Sequence, residues 1–305
     1  MALGRGRLVF SSSKGSTRSA LRTLQGSLVS PLTSGVHDIA VALFTTLFPS
    51  DCRLCGSPLV NISRLPVCAE CLSSIRPMDG HLCPVCGERL SGPYAIFAGG
   101  EVNCALCRRL QPPFVKATAY GSYESGLREL IHLLKYDGVR PAANVLGRML
   151  AEAIAPLQSL FAEGPVVVVP VPLHARKRRQ RGFNQTELIA RSALKLESCR
   201  RFELKAVLER TRETQSQIGL SRHQRRENLR GAFAVMAPEE VRGHEILLVD
   251  DVLTTGTTVS ECARVLQRAG ATKVYVATVA RTLKLEMQPA RLEPQAAAMV
   301  MAAAS

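Results

Sequence analysis

The chain has 305 residues, carries a formal net charge of +14 at pH 7 and is 46% hydrophobic. This length fits two domains better than one, and the composition excludes collagen-like, coiled-coil and wholly disordered proteins. The excess of Lys and Arg indicates an anionic ligand or partner, with a basic surface that has no particular ligand as the alternative. No apolar run reaches the roughly 18 residues that a membrane helix needs, so we expect no membrane span.

Residues 1–48 are predicted to be a basic N-terminal extension. Residues 1–35 are rich in Ser, Gly and Thr, and the first acidic residue of the chain is Asp38. Such a composition is typical of a transit peptide or of a disordered basic arm, and we favour the arm. Residues 36–48 are expected to form one amphipathic helix.

Eight of the ten cysteines form four Cys-x-x-Cys pairs. Each pair supplies two thiolates from one tight turn, as tetrahedral Zn²⁺ sites require. Two sites form if adjacent pairs combine; crossed pairing stays open, and a redox role for one pair is a minor alternative. The expected zinc ligands are Cys52, Cys55, Cys68, Cys71, Cys83, Cys86, Cys104 and Cys107.

Residues 49–110 are therefore predicted to be a double zinc ribbon. This segment has few apolar runs and would hardly fold without metal. A Gly follows the second cysteine of two pairs, at Gly56 and Gly87, where a metal-binding turn needs an unhindered backbone. No N-terminal stretch combines an apolar core with a cleavage site, so we expect a reducing, cytoplasmic location.

From Phe114 onward, strands alternate with helices. The patterns predict, in chain order, a strand at 117–123, helices ending at Lys135 and over 144–154, a strand at 166–171, a helix at 187–196, a strand at 246–249, a helix at 258–269 and a strand at 273–279. This alternation implies an α/β domain over residues 114–285, with a parallel sheet covered by helices on both faces. Residues 286–305 are expected to be a tail.

The strongest chemical signal is the run Ile246-Leu-Leu-Val-Asp-Asp-Val-Leu-Thr-Thr-Gly-Thr-Thr258. A buried strand delivers two acids to its carboxyl end, where ligands bind in open α/β sheets. The Thr/Gly loop and the helix start behind it form a cradle for a phosphate. The acids would repel a phosphate but can accept hydrogen bonds from a sugar diol, so the combination points to a ribose 5-phosphate. An acidic helix cap explains one Asp and one Thr, but not the whole run.

This run resembles the phosphoribosyl-pyrophosphate (PRPP) signature of type I phosphoribosyltransferases. Further motifs resemble those of the ComF family of competence-associated proteins, which also carries an N-terminal four-cysteine ribbon. They are Leu134-Lys-Tyr-Asp-Gly138, Val167-Val-Val-Pro-Val-Pro-Leu-His174, Gly182-Phe-Asn-Gln-Thr-Glu187, Gln217-Ile-Gly-Leu-Ser-Arg222 and Arg226-Glu-Asn-Leu-Arg-Gly-Ala-Phe233. The likeness covers about Pro49 to Arg281 and implies a phosphoribosyltransferase-like fold.

The resemblance implies a role for each part of the site. Asp250 and Asp251 would be the catalytic acids that hold the diol. PRPP would be bound by Asp250, Asp251, Val252, Leu253, Thr254, Thr255, Gly256, Thr257 and Thr258. Pyrophosphate, with Mg²⁺, would lie near Val171, Lys135, His174, Arg178 and Arg181.

Some of these residues keep a second interpretation. Lys135 also suits the dipole of a helix end, and a lone His174 is more often a structural hydrogen-bonding residue. The cations of 176–181 could equally contact nucleic-acid phosphates or solvent. Residues 210–230 match the flexible catalytic loop of the fold, which closes over substrate.

The resemblance therefore implies a PRPP-binding protein of the ComF type, linked to DNA uptake, whose acceptor substrate is unknown. A pentosyl-transferring enzyme is one possibility. The alternative is a nucleic-acid-binding competence protein whose PRPP site is a sensor or is catalytically silent. The expected partners are PRPP, single-stranded DNA and other competence proteins. Little chain remains after Arg281 to build the hood with which type I enzymes select their base.

Overall fold

The computed structural model of the chain describes residues 50–59, 63–90, 103–212 and 221–283. The predicted extension at residues 1–48 and the predicted tail at residues 286–305 lie outside these ranges. The helices in the described ranges are all too short or too polar to cross a membrane. The division into domains at residues 49, 110, 114 and 285 stays a prediction.

Five parallel strands form the central sheet, in the order β1-β7-β6-β2-β3. The strands are β1 (Ala117–Ser122), β2 (Val166–Pro170), β3 (Phe202–Leu204), β6 (Glu245–Leu253) and β7 (Lys273–Arg281). A separate antiparallel pair joins β4 (Leu208–Arg210) to β5 (Phe233–Val235). Because β2 and the first part of β6 are buried on both faces, they consist of continuous apolar runs, as the sequence predicted.

Successive residues of these strands face two separate cores. Val166 and Val168 of β2 belong to one core, and Val167 and Val169 to the other. The first core is covered by α3 (Ser125–Lys135), α4 (Ala142–Ile154) and α6 (Gln185–Ala193). The second is covered mainly by α8 (Thr257–Arg268), with Leu229 at the end of α7 (Arg222–Leu229). The predicted sheet with helices on both faces is thereby confirmed.

The cysteine-rich segment folds as two similar units, one against each core. Each unit begins with a tight turn closed by an antiparallel bridge, Asp51 with Pro58 and Leu82 with Arg89. Each then ends in a short helix, α1 (Ala69–Ser74) or α2 (Ala105–Leu110). The cysteines of the first unit pack on the core under α3 and α4, and those of the second on the core under α8.

The elements predicted from Phe114 onward are confirmed, with shifts at their ends. The helix predicted for residues 36–48 lies outside the described residues. The main difference is β6, which continues to Leu253 instead of ending at Val249, so that Asp250 and Asp251 lie within the strand. The sequence analysis missed β3, β4 and β5, which have three residues each, and the basic helix α5 (Ala175–Arg181). It also missed α7, inside the stretch expected to be a flexible loop.

Helix α6 is held close to α4 by a glycine. A Cβ atom built on Gly147 would lie 2.6 Å from the Cβ of Ser192 and 2.9 Å from the backbone nitrogen of Ala193. Only glycine permits this approach without displacing α6. The contact matters for the site because the first residues of α6 reach the two acids of β6.

Candidate ligand site and zinc centres

Asp250 and Asp251 lie near the carboxyl end of β6, at the edge of the sheet where the predicted site was placed. Asp251 is buried, whereas Asp250 is half-buried. Both carboxyls are contacted by side chains from the start of one helix, α6.

The Asp251 carboxylate is held by two side chains from different helices. Lys135 Nζ lies 2.9 Å from Asp251 Oδ2, and Gln185 Nε2 donates to the same oxygen at 2.8 Å. Lys135 is the last residue of α3, which starts just after β1; α3 therefore runs from the end of β1 to the end of β6. The structure thus pairs Lys135 with an acid of β6, whereas the sequence analysis grouped it with the residues expected near pyrophosphate.

The start of α6 faces both acids. Asn184 caps this helix by accepting from Thr186 N at 3.1 Å, and its Nδ2 donates to Val171 O at 3.1 Å. Thr186 Oγ1 donates weakly to Asp250 Oδ1 at 3.4 Å. The positive end of the helix dipole favours carboxylates at this place. Gln185 and Thr186 are site residues that the sequence analysis did not single out, although both lie in the quoted motif 182–187.

The two carboxyl groups influence each other electrostatically. Burial and the neighbouring Asp251 carboxylate raise the pKa of Asp250 to about 7, against the opposing effect of Lys135. Burial would lower the pKa of Lys135, but the Asp251 and Asp250 carboxylates raise it above its ordinary value. Lys135 therefore stays charged and balances the more buried acid.

Each carboxylate keeps one oxygen for a ligand. The protein contacts engage Oδ2 of Asp251 and Oδ1 of Asp250, which also accepts from Asp251 N at 2.9 Å. The other oxygen of each acid has no hydrogen bond among the described residues. Two acceptor oxygens on adjacent residues match the two hydroxyls of a diol.

The loop after β6 leads directly into α8. Gly256 is the residue before the helix, has φ +76° and offers no side-chain cap. A Cβ on Gly256 would meet only Leu253 Cδ1, at 4.0 Å, so backbone conformation is the reason for glycine here. Gly256 therefore supplies no capping side chain at the start of α8, and the amino end of a helix is a favourable place for an anion. The hydroxyls of Thr255 and Thr257, 2.8 Å apart, lie beside this helix end.

The turn after β2 and the basic helix α5 form the opposite side of the site. Val171 is buried and donates its N–H to Val249 O at 2.9 Å. His174 is the N-cap of α5 and accepts from Arg176 N at 3.4 Å, in agreement with the structural interpretation of that residue.

The arginines of α5 differ in direction. Arg181 donates to Gln185 Oε1 and lies over the ring of Tyr136, 5.8 Å from its centroid. Arg178 and Arg179 are exposed. Arg181 thus contacts Gln185, a partner of Asp251, whereas the other three arginines of α5 are exposed.

The stretch between β4 and β5 is only partly a loop. Residues 213–220 lie outside the described ranges. Residues 222–229 form α7, which begins with a capping box between Ser221 and Gln224. Arg212 donates to the carbonyls of Asn228 and Arg230 at 3.0 and 2.9 Å, which ties the end of α7 to β4.

The eight paired cysteines come together as two tetrads. Within each tetrad the four sulfurs lie within 4.8 Å of one another, and adjacent hooks combine. The Sγ atoms of Cys55 and Cys68 are 3.8 Å apart, and those of Cys86 and Cys104 are 3.7 Å apart. Thiolates bound tetrahedrally to zinc at about 2.3 Å lie roughly 3.8 Å from each other, so both tetrads fit Zn²⁺.

Backbone geometry around both tetrads supports metal binding. Gly56 and Gly87 have φ +77° and +67° and close the two knuckle turns. Cys68 and Cys104 cap α1 and α2 and accept from Cys71 N and Cys107 N. The tetrads differ in exposure: all four cysteines of the second are buried, whereas Cys55 in the first is exposed.

The comparison with known families agrees with this architecture. The family described as "Phosphoribosyl transferase domain" matches residues 147–295, and the family "Double zinc ribbon domain" matches residues 43–111. The first match starts within α4, so β1, α3 and Lys135 lie outside it although they belong to the same sheet and site.

Three curated proteins are similar over most of their length. "DNA utilization protein YhgH" of Escherichia coli K12 is 34% identical over 77% of this chain and 98% of that protein. "Competence protein F" of Haemophilus influenzae is 28% identical over 70% of this chain and 96% of that one. "Competence protein ComFC" of Bacillus subtilis is 25% identical over 77% and 92%.

We predict two zinc ions per chain, with the first tetrad losing its metal first. Since Cys55 is exposed and the second tetrad is buried, a competing chelator should remove one equivalent fast and one slowly. Release is measured with a chromophoric chelator, and the freed cysteines are identified by alkylation and mass spectrometry.

The zinc controls are serine variants. Cys55→Ser should remove the fast equivalent and Cys86→Ser the slow one, whereas Cys199→Ser, a buried cysteine outside both tetrads, should leave two. Folded protein that binds less than one zinc per chain would contradict the assignment.

Proposed function

The chain belongs to the ComF family, and from that premise we propose that it binds PRPP with Mg²⁺ through the acids of β6 and the loop before α8. One observation carries the proposal: two carboxylates, each with one oxygen left for a ligand, lie shortly before a helix start that has no side-chain cap. A ribose 5-phosphate satisfies both features at once. The diol would pair with Asp250 and Asp251, and the 5-phosphate with residues 254–258.

The pyrophosphate would lie on the β2 side of the ribose. Val171 directly follows β2, the strand next to β6, and α5 brings Arg178 and Arg181 to that side. When bound with PRPP, Mg²⁺ would neutralise part of the pyrophosphate charge. Phosphoribosyl transfer needs positioning and charge stabilisation more than covalent catalysis, and this site supplies both.

In that reaction Lys135 and Gln185 would act through Asp251. They fix one oxygen of its carboxylate, so that the other points in one direction for a ribose hydroxyl. Asp250 and Asp251 would then hold the ribose while positive charge develops at C1 and pyrophosphate leaves. The acceptor that adds to C1 is left open.

The relatives' names tie those proteins to DNA utilization and competence, and we extend that link to this chain. In this chain, Arg178 and Arg179 of α5 are exposed, and Tyr136, which lies under Arg181 of the same helix, is 70% exposed. Exposed cations bind phosphates, and an exposed ring offers a stacking surface for a base. We therefore propose single-stranded DNA as a second ligand of the same face of the protein.

Replacing both acids should weaken PRPP binding by at least about tenfold. The Asp250→Asn/Asp251→Asn variant keeps the shape but loses the charged acceptors, and one charged hydrogen bond contributes about 1.5–3 kcal/mol. Isothermal calorimetry with Mg²⁺ measures the affinity. Because Lys135 would lose its buried partner, a second variant adds Lys135→Gln to the two Asn substitutions and so removes the unpaired charge. Wild-type affinity in folded variants would refute the site.

PRPP binding should weaken as the pH falls from 8 to 6. The pKa of Asp250 is raised to about 7, so the carboxylate that accepts the hydroxyl becomes protonated in this range. If only the ionised form binds, the apparent Kd rises about tenfold. Asp250→Asn is the matched control, since the ligand's own titration is present in both proteins. The same pH dependence in the variant would contradict the role of Asp250.

Protonation of Asp250 should have the opposite effect on folding stability: it should stabilise the fold, although it weakens PRPP binding. The pKa of Asp250 is higher in the fold than the value of about 3.9 in an unfolded chain, so the folded protein binds the extra proton between these values. The Asp250 contribution to stability is therefore lost as the pH rises through about 7. Asp250→Asn should raise the Tm relative to wild type at pH 8 while it weakens PRPP binding.

Binding of single-stranded DNA should depend steeply on salt, and the exposed arginines of α5 should set part of the slope. Removing one phosphate-binding cation lowers the slope of log K against log salt by about 0.7, so Arg178→Gln/Arg179→Gln should lower it by about 1.4. Fluorescence anisotropy at several salt concentrations measures the slope.

Arg242→Gln/Arg268→Gln is the control for this measurement. It removes the same charge from exposed residues near the amino ends of β6 and β7, at the opposite edge of the sheet. Equal slopes for the two double variants would reduce the DNA proposal to a general charge effect.

A further inference from the structure

Arg281, the last residue of β7, connects the second cysteine tetrad to the sheet. Its NH1 donates to Cys86 O at 2.6 Å, and its NH2 donates to Cys86 Sγ at 3.6 Å. NH2 also pairs with Glu88 Oε2 at 2.7 Å. Arg281 and Glu88 are both buried, with 3% and 7% of their surfaces exposed. A buried charge of this kind is retained only when its partners are well placed.

The guanidinium lies between two anionic groups, a zinc-binding thiolate and a carboxylate. Donors to a ligating sulfur hold that ligand in orientation and tune the metal site. In the first tetrad, the described contacts to sulfur come from backbone N–H groups and the Ser57 hydroxyl instead. Only the second tetrad thus has a charged residue from the sheet as a partner, within the described residues.

The backbone of Arg281 is also next to the phosphate loop. Arg281 is opposite Leu253 in the β6–β7 register, and Thr282 N donates to Leu253 O at 3.1 Å. Leu253 is buried and directly precedes Thr254, the first residue of the loop. On its other side, Arg281 O accepts from Tyr123 N at 2.8 Å. A displacement of Arg281 would therefore also displace Leu253 and the start of the loop.

The ribbon and the loop also share a small cavity. It has a volume of about 120 Å³ and is lined by Cys86, Cys107 and Phe114 on one side and by Thr255 and Gly256 on the other. The second ribbon is consequently a wall behind the phosphate loop. The first ribbon, by contrast, packs on the start of α3, where Leu54 would lie 3.3 Å from a Cβ on Gly126.

We infer that Arg281 is a positioning residue that couples metal binding at the second tetrad to ligand binding at the phosphate loop. The inference rests on the proposed function, because the loop must bind a phosphate. Zinc fixes Cys86, Cys86 and Glu88 fix the guanidinium, and the guanidinium fixes the end of β7 against Leu253. Such coupling is reciprocal: whatever factor zinc adds to ligand affinity, the ligand adds to zinc affinity.

The test uses full-length zinc-loaded protein and ribose 5-phosphate. This probe carries the diol and the phosphate but no pyrophosphate, which would itself chelate metal. Calorimetry first measures its affinity. Zinc release to a chromophoric chelator is then followed with and without saturating probe, and alkylation with mass spectrometry identifies which tetrad opens. We expect the probe to slow release from Cys83, Cys86, Cys104 and Cys107 several-fold and to leave the first tetrad unchanged.

Two variants test whether the contacts of Arg281 carry the coupling. Arg281→Gln should abolish the protection and weaken ribose 5-phosphate binding about tenfold. Arg281→Lys keeps the charge but cannot donate to carbonyl, thiolate and carboxylate together, so it should retain part of the protection. Because Arg281→Gln can fail to fold, Arg281→Lys keeps the test decisive, and circular dichroism reports folding for both.

The outcomes separate this inference from the proposed function. Tight ribose 5-phosphate binding with no change in zinc release would overturn the coupling and leave the ligand site standing. Equal protection of both tetrads would overturn it as well, since general stabilisation would explain the result. No binding of ribose 5-phosphate or PRPP to wild-type protein would overturn both.

Discussion

Two adjacent carboxylates near the end of a strand with a buried core are the constraint on which the rest of the site depends. Like charges this close are unfavourable unless cations and donors surround them. The chain meets this requirement with Lys135 from α3 and with Gln185 and Thr186 from α6. Helix α3 must therefore extend from the end of β1 to the end of β6, and α6 must start at the site. The close approach at Gly147 keeps α6 in that place. The packing of α4 against α6 at Gly147 thus helps to hold the side chains that contact Asp250 and Asp251.

The zinc ribbons are part of the same structure and not an appended module. β1 lies at the edge of the sheet, and an exposed edge invites unwanted pairing. Two backbone hydrogen bonds from the ribbon segment cover part of it, Met78 N to Tyr120 O at 2.6 Å and Ala117 N to Val85 O at 2.7 Å. A segment with so few apolar residues gains its stability from metal, and it then stabilises the edge strand.

The sequence predicted the elements with strong periodicity and the chemistry of the motif in β6, because both depend on local order along the chain. It did not predict the three-residue strands β3, β4 and β5, which are too short to show a period. Nor did it reveal that Lys135 pairs with Asp251, a residue far along the chain, because that pairing exists only through the path of α3. Gln185 was overlooked because a polar residue just inside a helix start looks like an ordinary capping environment.

The cations of the chain fall into two groups, those paired inside the protein and those exposed to solvent, and the two groups have different consequences for function. Arg281 is buried and neutralises a carboxylate and a thiolate, and Arg181 is directed inward to Gln185. Lys135 forms an ion pair with Asp251 of β6. The charges of Lys135 and Arg281 are balanced by their carboxylate partners, so these two residues attract a distant polyanion little. The exposed arginines of α5 remain as the part of the excess beside the ligand site that faces solvent. The cations that bear on the binding of a polyanion are therefore the exposed ones, not those paired with acids inside the protein.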